Sequence, residues 1–125
     1  MRFKHIILAF ALVATPGLAS AHDMAKGANG GQVVDDAGHH VEFTSKAGEI
    51  ALFLTDDADK PISATKATGR VIVQDGAKQS TADLTVMEPN MLMATLPAPL
   101  SPGAKLVFTI KLSDGHDVKA RFVAK

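Results

Sequence analysis

GEIALFLTDDADKPIS, residues 48–63, is the stretch of sequence that decides the fold. Its first half alternates Ile, Leu and Leu with Ala, Phe and Thr, so both faces are mostly apolar. This pattern predicts a strand in the middle of a sheet, covered on both sides. The acidic run at residues 56–59 predicts the turn that ends the strand, because aspartate side chains hydrogen-bond their own backbone. Pro61 then fixes φ and favours a new extended segment.

Short alternating segments lie on both sides of this central strand. They span residues 32–34, 39–45, 70–74, 79–86, 91–96, 105–112 and 118–124. Asp75-Gly76 and Asp114-Gly115 are hairpin turn signals, and no helical period follows residue 21. The sequence therefore predicts one all-β domain, residues 32–125, folded as an immunoglobulin-like β-sandwich of about seven strands. A small barrel is the alternative.

The alternation within the predicted strands also indicates which residues form the core. Val41 and Phe43 are expected to point inward, and His40 and Glu42 to point to solvent. Phe43, Leu52, Phe108 and Phe122 are expected to hold the core together. The chain has no cysteine, so this core has to suffice without a disulfide.

The first 21 residues have the pattern of a cleaved signal peptide. Arg2 and Lys4 give a basic start, residues 6–13 form an apolar run too short to span a bilayer, and Ala-Ser-Ala ends the segment at residue 21. No twin arginine is present, so the pattern predicts export through the Sec pathway to the periplasm. The polar, glycine-rich residues 22–31 are expected to be flexible, and no membrane span is expected after the leader.

Composition excludes several classes of function. After the leader the chain keeps all 13 acidic residues but loses two of its 13 basic ones, so it offers no basic patch for nucleic acid. The absence of cysteine excludes thiol chemistry and thiolate metal sites. No nucleophile motif, zinc-protease motif or phosphate loop is present, so we expect no enzymatic activity.

Histidine and methionine carry the sharpest functional hypothesis, because imidazole suits copper or zinc and thioether suits Cu(I). After cleavage, His22 would combine a free α-amine with its imidazole, a bidentate chelate for Cu(II), with Met24 nearby. His39 and His40 are adjacent on a strand and point to opposite faces, so a regular strand does not bring both to one ion. Met91 and Met93 share a face. The candidate ligands are His22, Met24, His39, His40, Met91 and Met93.

Each of these residues also has a plain structural interpretation. Methionines on a strand face are often packing residues. His116, in the last hairpin turn, is predicted to be a solvated loop residue. The acidic run at residues 56–59 lacks the spacing of a calcium loop, and its role as a strand-ending turn is sufficient explanation.

Two longer passages resemble a known family. FLTDDADKPISATKATGRVIVQDG and LPAPLSPGAKLVFTIKLSDGHDVKARF look like small periplasmic immunoglobulin-like domains of the YtkA-like kind. NGGQVVDDAGHHVEF is similar to the start of periplasmic domains that accompany heavy-metal-efflux adaptors. The resemblance implies a non-enzymatic β-sandwich associated with copper or other heavy metals, and it supplies no ligand set residue by residue.

The sequence thus supports an exported, non-enzymatic domain that binds or senses a soft metal ion such as copper, as Cu(I) or Cu(II), in metal homeostasis or efflux. Its partner would be a metal-efflux or envelope protein. The alternative is a metal-independent envelope module that presents an edge strand or loop face to a partner protein.

Overall fold

A computed structural model describes residues 26–87 and 89–125, and the regular secondary structure of this part of the chain is β-strand. The predicted signal peptide, His22 and Met24 lie outside the described residues. The strands are β1 (Gln32–Asp36), β2 (His39–Lys46), β3 (Glu49–Thr55), β4 (Thr68–Asp75), β5 (Lys78–Met87), β6 (Met91–Thr95), β7 (Lys105–Lys111) and β8 (Asp117–Val123).

The strands pair antiparallel in the order β1-β2-β3-β6-β5-β4-β7-β8. Strand β5 belongs to two sheets, because residues 78–84 pair with β4 and residues 85–87 pair with β6. The first sheet is β1-β2-β3-β6 with the end of β5, and the second sheet is the start of β5 with β4, β7 and β8. Strands β3 and β6 are followed by crossovers to the second sheet, as in a Greek key. The predicted immunoglobulin-like β-sandwich is confirmed, with eight strands rather than about seven.

Strand β3 lies in the middle of the first sheet, between β2 and β6, as its two apolar faces predicted. The hairpin that joins it to β2 turns through Ala47 and Gly48, which both have positive φ. Leu52 and Leu54 are buried on the inner face, and Ala51 is buried on the outer face. The pattern therefore identified both the strand and its central position.

Three phenylalanines join the two sheets inside the sandwich. The ring centroid of Phe43 on β2 lies 5.0 Å from that of Phe122 on β8 and 5.9 Å from that of Phe108 on β7. The rings of Phe108 and Phe122 meet edge to face at 5.8 Å. Offset and edge-to-face contacts are the arrangements that aromatic pairs prefer. With Leu52, which is fully buried, these rings form the core that the sequence predicted.

Glu42 corrects the prediction that this residue faces solvent. It points to the outer face of the first sheet, but residues 27–31 cover it and leave it only 6% exposed. Its carboxylate accepts hydrogen bonds from the backbone N–H of Asn29 and Gly31 and from the side-chain amide of Asn29. A Cβ on Gly31 would collide with the carbonyl oxygen of Phe43, so glycine is required for this close approach. The strand pattern showed the direction of Glu42 but not what covers it.

Within the described residues, no helix is long and apolar enough to cross a membrane.

Candidate metal centre

The acidic turn after β3 is built around Asp56. Its carboxylate oxygen Oδ1 accepts the backbone N–H groups of Ala58 and Lys60, each at 2.9 Å. The backbone closes the same turn, since the N–H of Asp56 donates to the carbonyl oxygen of Lys60 at 2.8 Å. The side chains of Asp57 and Asp59 are left to project from a turn that these bonds hold in shape.

The hydrogen bonds from the backbone N–H of Lys60, and then of Ala58, hold the pKa of Asp56 below its ordinary value. A carboxyl with a lowered folded-state pKa stabilises the fold fully above its ordinary pKa and loses that contribution as the pH falls through the lowered value. We therefore expect the Asp56 carboxyl, followed by carbon-13 NMR, to titrate at lower pH in the folded protein than in the urea-unfolded chain. Equal titration midpoints in the folded protein and the unfolded chain would contradict the hydrogen bonds from the turn backbone to Asp56.

His40 lies between this turn and the β1–β2 turn. One ring nitrogen, Nε2, is 3.3 Å from Oδ1 of Asp57, and the other, Nδ1, is 3.7 Å from Oδ1 of Asp59. On the opposite side, Asp35 is the register partner of His40 on β1. The imidazole is 26% exposed, so it is reachable but partly enclosed.

Asp35, His40 and Asp57 each offer one donor atom within 4.8 Å of the other two. We call these three residues the His40 centre. The two turns that supply them are in contact, because a Cβ on Gly38 would lie 3.3 Å from Oδ2 of Asp57. Oδ1 of Asp35 accepts the N–H of Gly38, which orients that carboxylate within its own turn.

One imidazole with two carboxylates is a donor set for a borderline divalent cation such as Zn(II) or Cu(II). Cu(I) prefers thioethers and thiolates, so this centre does not match it. The exposed carboxylate of Asp59 adds a further negative charge beside the imidazole. An arriving cation would therefore be attracted to the centre before it binds.

His39, the neighbour of His40, belongs to a different group of residues. Its Nδ1 lies 3.2 Å from the carbonyl oxygen of Asp36, and its ring centroid is 5.7 Å from that of His116. The two adjacent histidines thus point to opposite faces, as the strand period predicts. His116 is an exposed residue of the β7–β8 turn, as predicted. The turn also brings it to His39, and the sequence did not indicate this contact.

Met91 and Met93 lie on the outer face of the first sheet, the same face as His40 and Glu42. Met91 pairs with Phe53 on one side and with Met87 on the other, and Met93 pairs with Ala51. Strand β3 lies between β6 and the strand of His40, so the backbone of the methionines is about 10 Å or more from the backbone of His40. The methionines therefore form a group separate from the His40 centre.

The four predicted ligands that the structure describes therefore lie in separate parts of the fold. His40 forms a centre with two aspartates, His39 meets His116, and Met91 and Met93 form a patch with Met87. His22 and Met24 lie outside the described residues. The aspartates of the His40 centre were missed as ligands because they come from two turns. Asp35 is the second residue before the β1–β2 turn and His40 is the second residue after it, so the two are opposite each other in the hairpin. This register is the signal that could have identified Asp35.

No protein-family model matches the chain, and no curated protein matches it. Among solved structures, the archaellum periplasmic stator protein FlaG from Sulfolobus acidocaldarius is 15% identical, with 64% of this chain and 92% of that chain covered and a TM-score of 0.41. The Br derivative of BhCBM56 is 13% identical, with 73% of this chain and 97% of that chain covered and a TM-score of 0.44. Structural similarity at this level does not indicate a function.

Proposed function

We propose that this protein is a non-enzymatic metal-binding domain and that its principal site is the His40 centre. The observation that carries the proposal is the convergence of an imidazole and two carboxylates, with donor atoms within 4.8 Å of one another. Such donors suit first-row divalent ions, among which Cu(II) binds most tightly in the general order of affinities. Copper is therefore the cargo that the proposal favours, with Zn(II) as a weaker ligand of the same site.

The construction of the two turns supports this assignment. Backbone hydrogen bonds to Asp56 shape one turn, and the N–H of Gly38 holds Asp35 in the other. Donors that are already positioned lose less conformational freedom on binding, so more of the interaction energy appears as affinity. A cation would also relieve the repulsion between the carboxylates of Asp35 and Asp57, whose donor oxygens lie within 4.8 Å of each other.

The methionine patch of Met87, Met91 and Met93 is the counterpart for Cu(I). Met87 and Met91 are direct cross-strand partners, and Met91 and Met93 are two residues apart on one face. Thioethers are soft donors that bind Cu(I) in preference to divalent ions. In this proposal, changing both Met91 and Met93 to leucine lowers Cu(I) affinity and leaves Cu(II) affinity at the His40 centre unchanged.

The proposal includes a periplasmic role in metal homeostasis or efflux, with a metal-efflux or envelope protein as partner. It is supported by the leader-like pattern of the first 21 residues and by the resemblance to YtkA-like and efflux-associated domains. The absence of a recognisable catalytic motif supports the non-enzymatic part of the proposal.

The experiment is a competition titration of the purified protein with Cu(II) and Zn(II), on a background carrying His22→Gln to remove the predicted N-terminal chelate. We expect His40→Gln to weaken binding at this site at least about 10-fold, and Asp57→Asn to weaken it in the same direction. Asp83→Asn is the matched control, because Asp83 is an exposed aspartate on β5, paired with Arg70 and outside the centre. It should leave the affinity unchanged.

Equal affinities for His40→Gln and the parent would contradict the proposal. In that case the metal-independent interaction module gains support, and a pull-down from envelope extract distinguishes the two. A partner recovered equally with and without a chelator favours the module, and a partner lost with the chelator favours metal-dependent recognition.

A further inference from the structure

The β7–β8 turn is fixed beside the β1–β2 turn at the seam between the first and last strands. The backbone N–H of Lys119 donates to Oδ2 of Asp36 at 2.7 Å, which ties β8 to β1. Within the β7–β8 turn, the N–H of Leu112 donates to the carbonyl oxygen of His116 at 2.9 Å. These bonds hold His116 next to His39, although the two residues are far apart in sequence.

Each of these two imidazoles has its Nδ1 against an oxygen acceptor. Nδ1 of His116 is 2.8 Å from Oδ2 of Asp114, and Nδ1 of His39 is 3.2 Å from the carbonyl oxygen of Asp36. A carbonyl oxygen only accepts, so Nδ1 of His39 carries the proton. The carboxylate of Asp114 likewise accepts the proton of Nδ1 of His116, which lies 2.8 Å from its Oδ2. In the neutral form of both rings, Nε2 therefore keeps its lone pair.

Metal-binding histidines have this arrangement, in which one ring nitrogen donates to a carboxylate or carbonyl and the other binds the ion. Within the described part of the chain, neither Nε2 makes a hydrogen bond. Imidazole nitrogen lies about 2.0–2.1 Å from a bound Zn(II), which puts two such rings roughly 5 Å apart, centre to centre, at a tetrahedral angle. The observed 5.7 Å between the ring centres of His39 and His116 is close to that spacing.

We propose a second metal site, in which Nε2 of His39 and Nε2 of His116 bind one borderline divalent ion such as Zn(II) or Cu(II). Asp114 and the carbonyl of Asp36 orient the two rings. The described residues supply two ligands, and the remaining positions are open to water or to a donor from another molecule. The site is therefore an exchangeable one, with the ion held at the protein surface.

This site is independent of the His40 centre. His39 and His40 are consecutive strand residues and face opposite sides of the sheet, so one ion does not bridge them. The second site would persist in a protein in which His40 has been changed, and it would be lost in a His116 variant that keeps the His40 centre intact. Failure of one proposal therefore leaves the other standing.

The experiment follows the histidine side-chain nitrogens by nitrogen-15 NMR as Zn(II) is added to the purified His40→Gln variant. We expect the Nε2 resonances of His39 and His116 to shift together and to reach saturation at the same Zn(II) concentration. The substitution His116→Gln should weaken Zn(II) binding at His39 at least about 10-fold, because a second ligand on the same scaffold raises the effective concentration. His39→Gln should have the reciprocal effect on His116.

Both residues lie at the surface end of the sandwich, and unchanged thermal melts will establish that the variants fold. If neither Nε2 shifts, or if only one does, the proposal is overturned. It is also overturned if His39 binds Zn(II) equally well with and without His116.

Discussion

Replacing Phe108 with alanine is expected to lower the free energy of unfolding by about 3–5 kcal/mol. Phe108 is fully buried on β7, and its ring contacts those of Phe43 on β2 and Phe122 on β8. Alanine would remove this ring and leave a cavity that the surrounding strands can fill only in part. Urea unfolding followed by circular dichroism measures the loss.

Val123→Ala is the control for this prediction. Val123 is also an apolar strand residue, but it is 50% exposed, so its truncation should cost less than about 1 kcal/mol. Comparable losses for Phe108→Ala and Val123→Ala would show that the aromatic cluster does not hold the two sheets together.

Replacing Glu42 with alanine is expected to lower the free energy of unfolding by about 2–3 kcal/mol. The buried carboxylate accepts N–H groups from Asn29 and Gly31, and these donors would be left without their charged acceptor. Amide hydrogen exchange gives a local measurement, since the N–H groups of Asn29 and Gly31 should exchange slowly in the parent and fast in the variant.

Glu49→Ala is the matched control, because Glu49 is an exposed glutamate at the start of β3. It should change neither the free energy of unfolding nor the exchange of the two amides. If Glu42→Ala unfolds at the same urea concentration as Glu49→Ala, Glu42 does not anchor residues 27–31 to the first sheet.

The fold was largely predictable because strand periodicity and turn residues are local features of the sequence. The two apolar faces of β3 indicated a central strand, and Asp-Gly pairs marked two of the hairpins. The core phenylalanines followed from the same alternation. The division of β5 between two sheets was not predictable, since it depends on pairing with β4 and β6 rather than on the sequence of β5.

The candidate sites were predictable only in part, because they combine residues from separate turns. Strand period correctly separated His39 from His40. It could not show that Asp57 reaches His40 from the next turn, or that His116 reaches His39 from the far end of the chain. The burial of Glu42 was missed for the same reason, since the covering residues 27–31 carry no strand pattern.

The most direct test of the His40 centre is a crystal structure of the protein grown with Zn(II), with anomalous diffraction recorded at the zinc edge. We expect an anomalous peak about 2.0–2.2 Å from a ring nitrogen of His40 and from carboxylate oxygens of Asp35 and Asp57. Zinc peaks at other positions in the crystal, with none beside His40, Asp35 and Asp57, would contradict the proposed site.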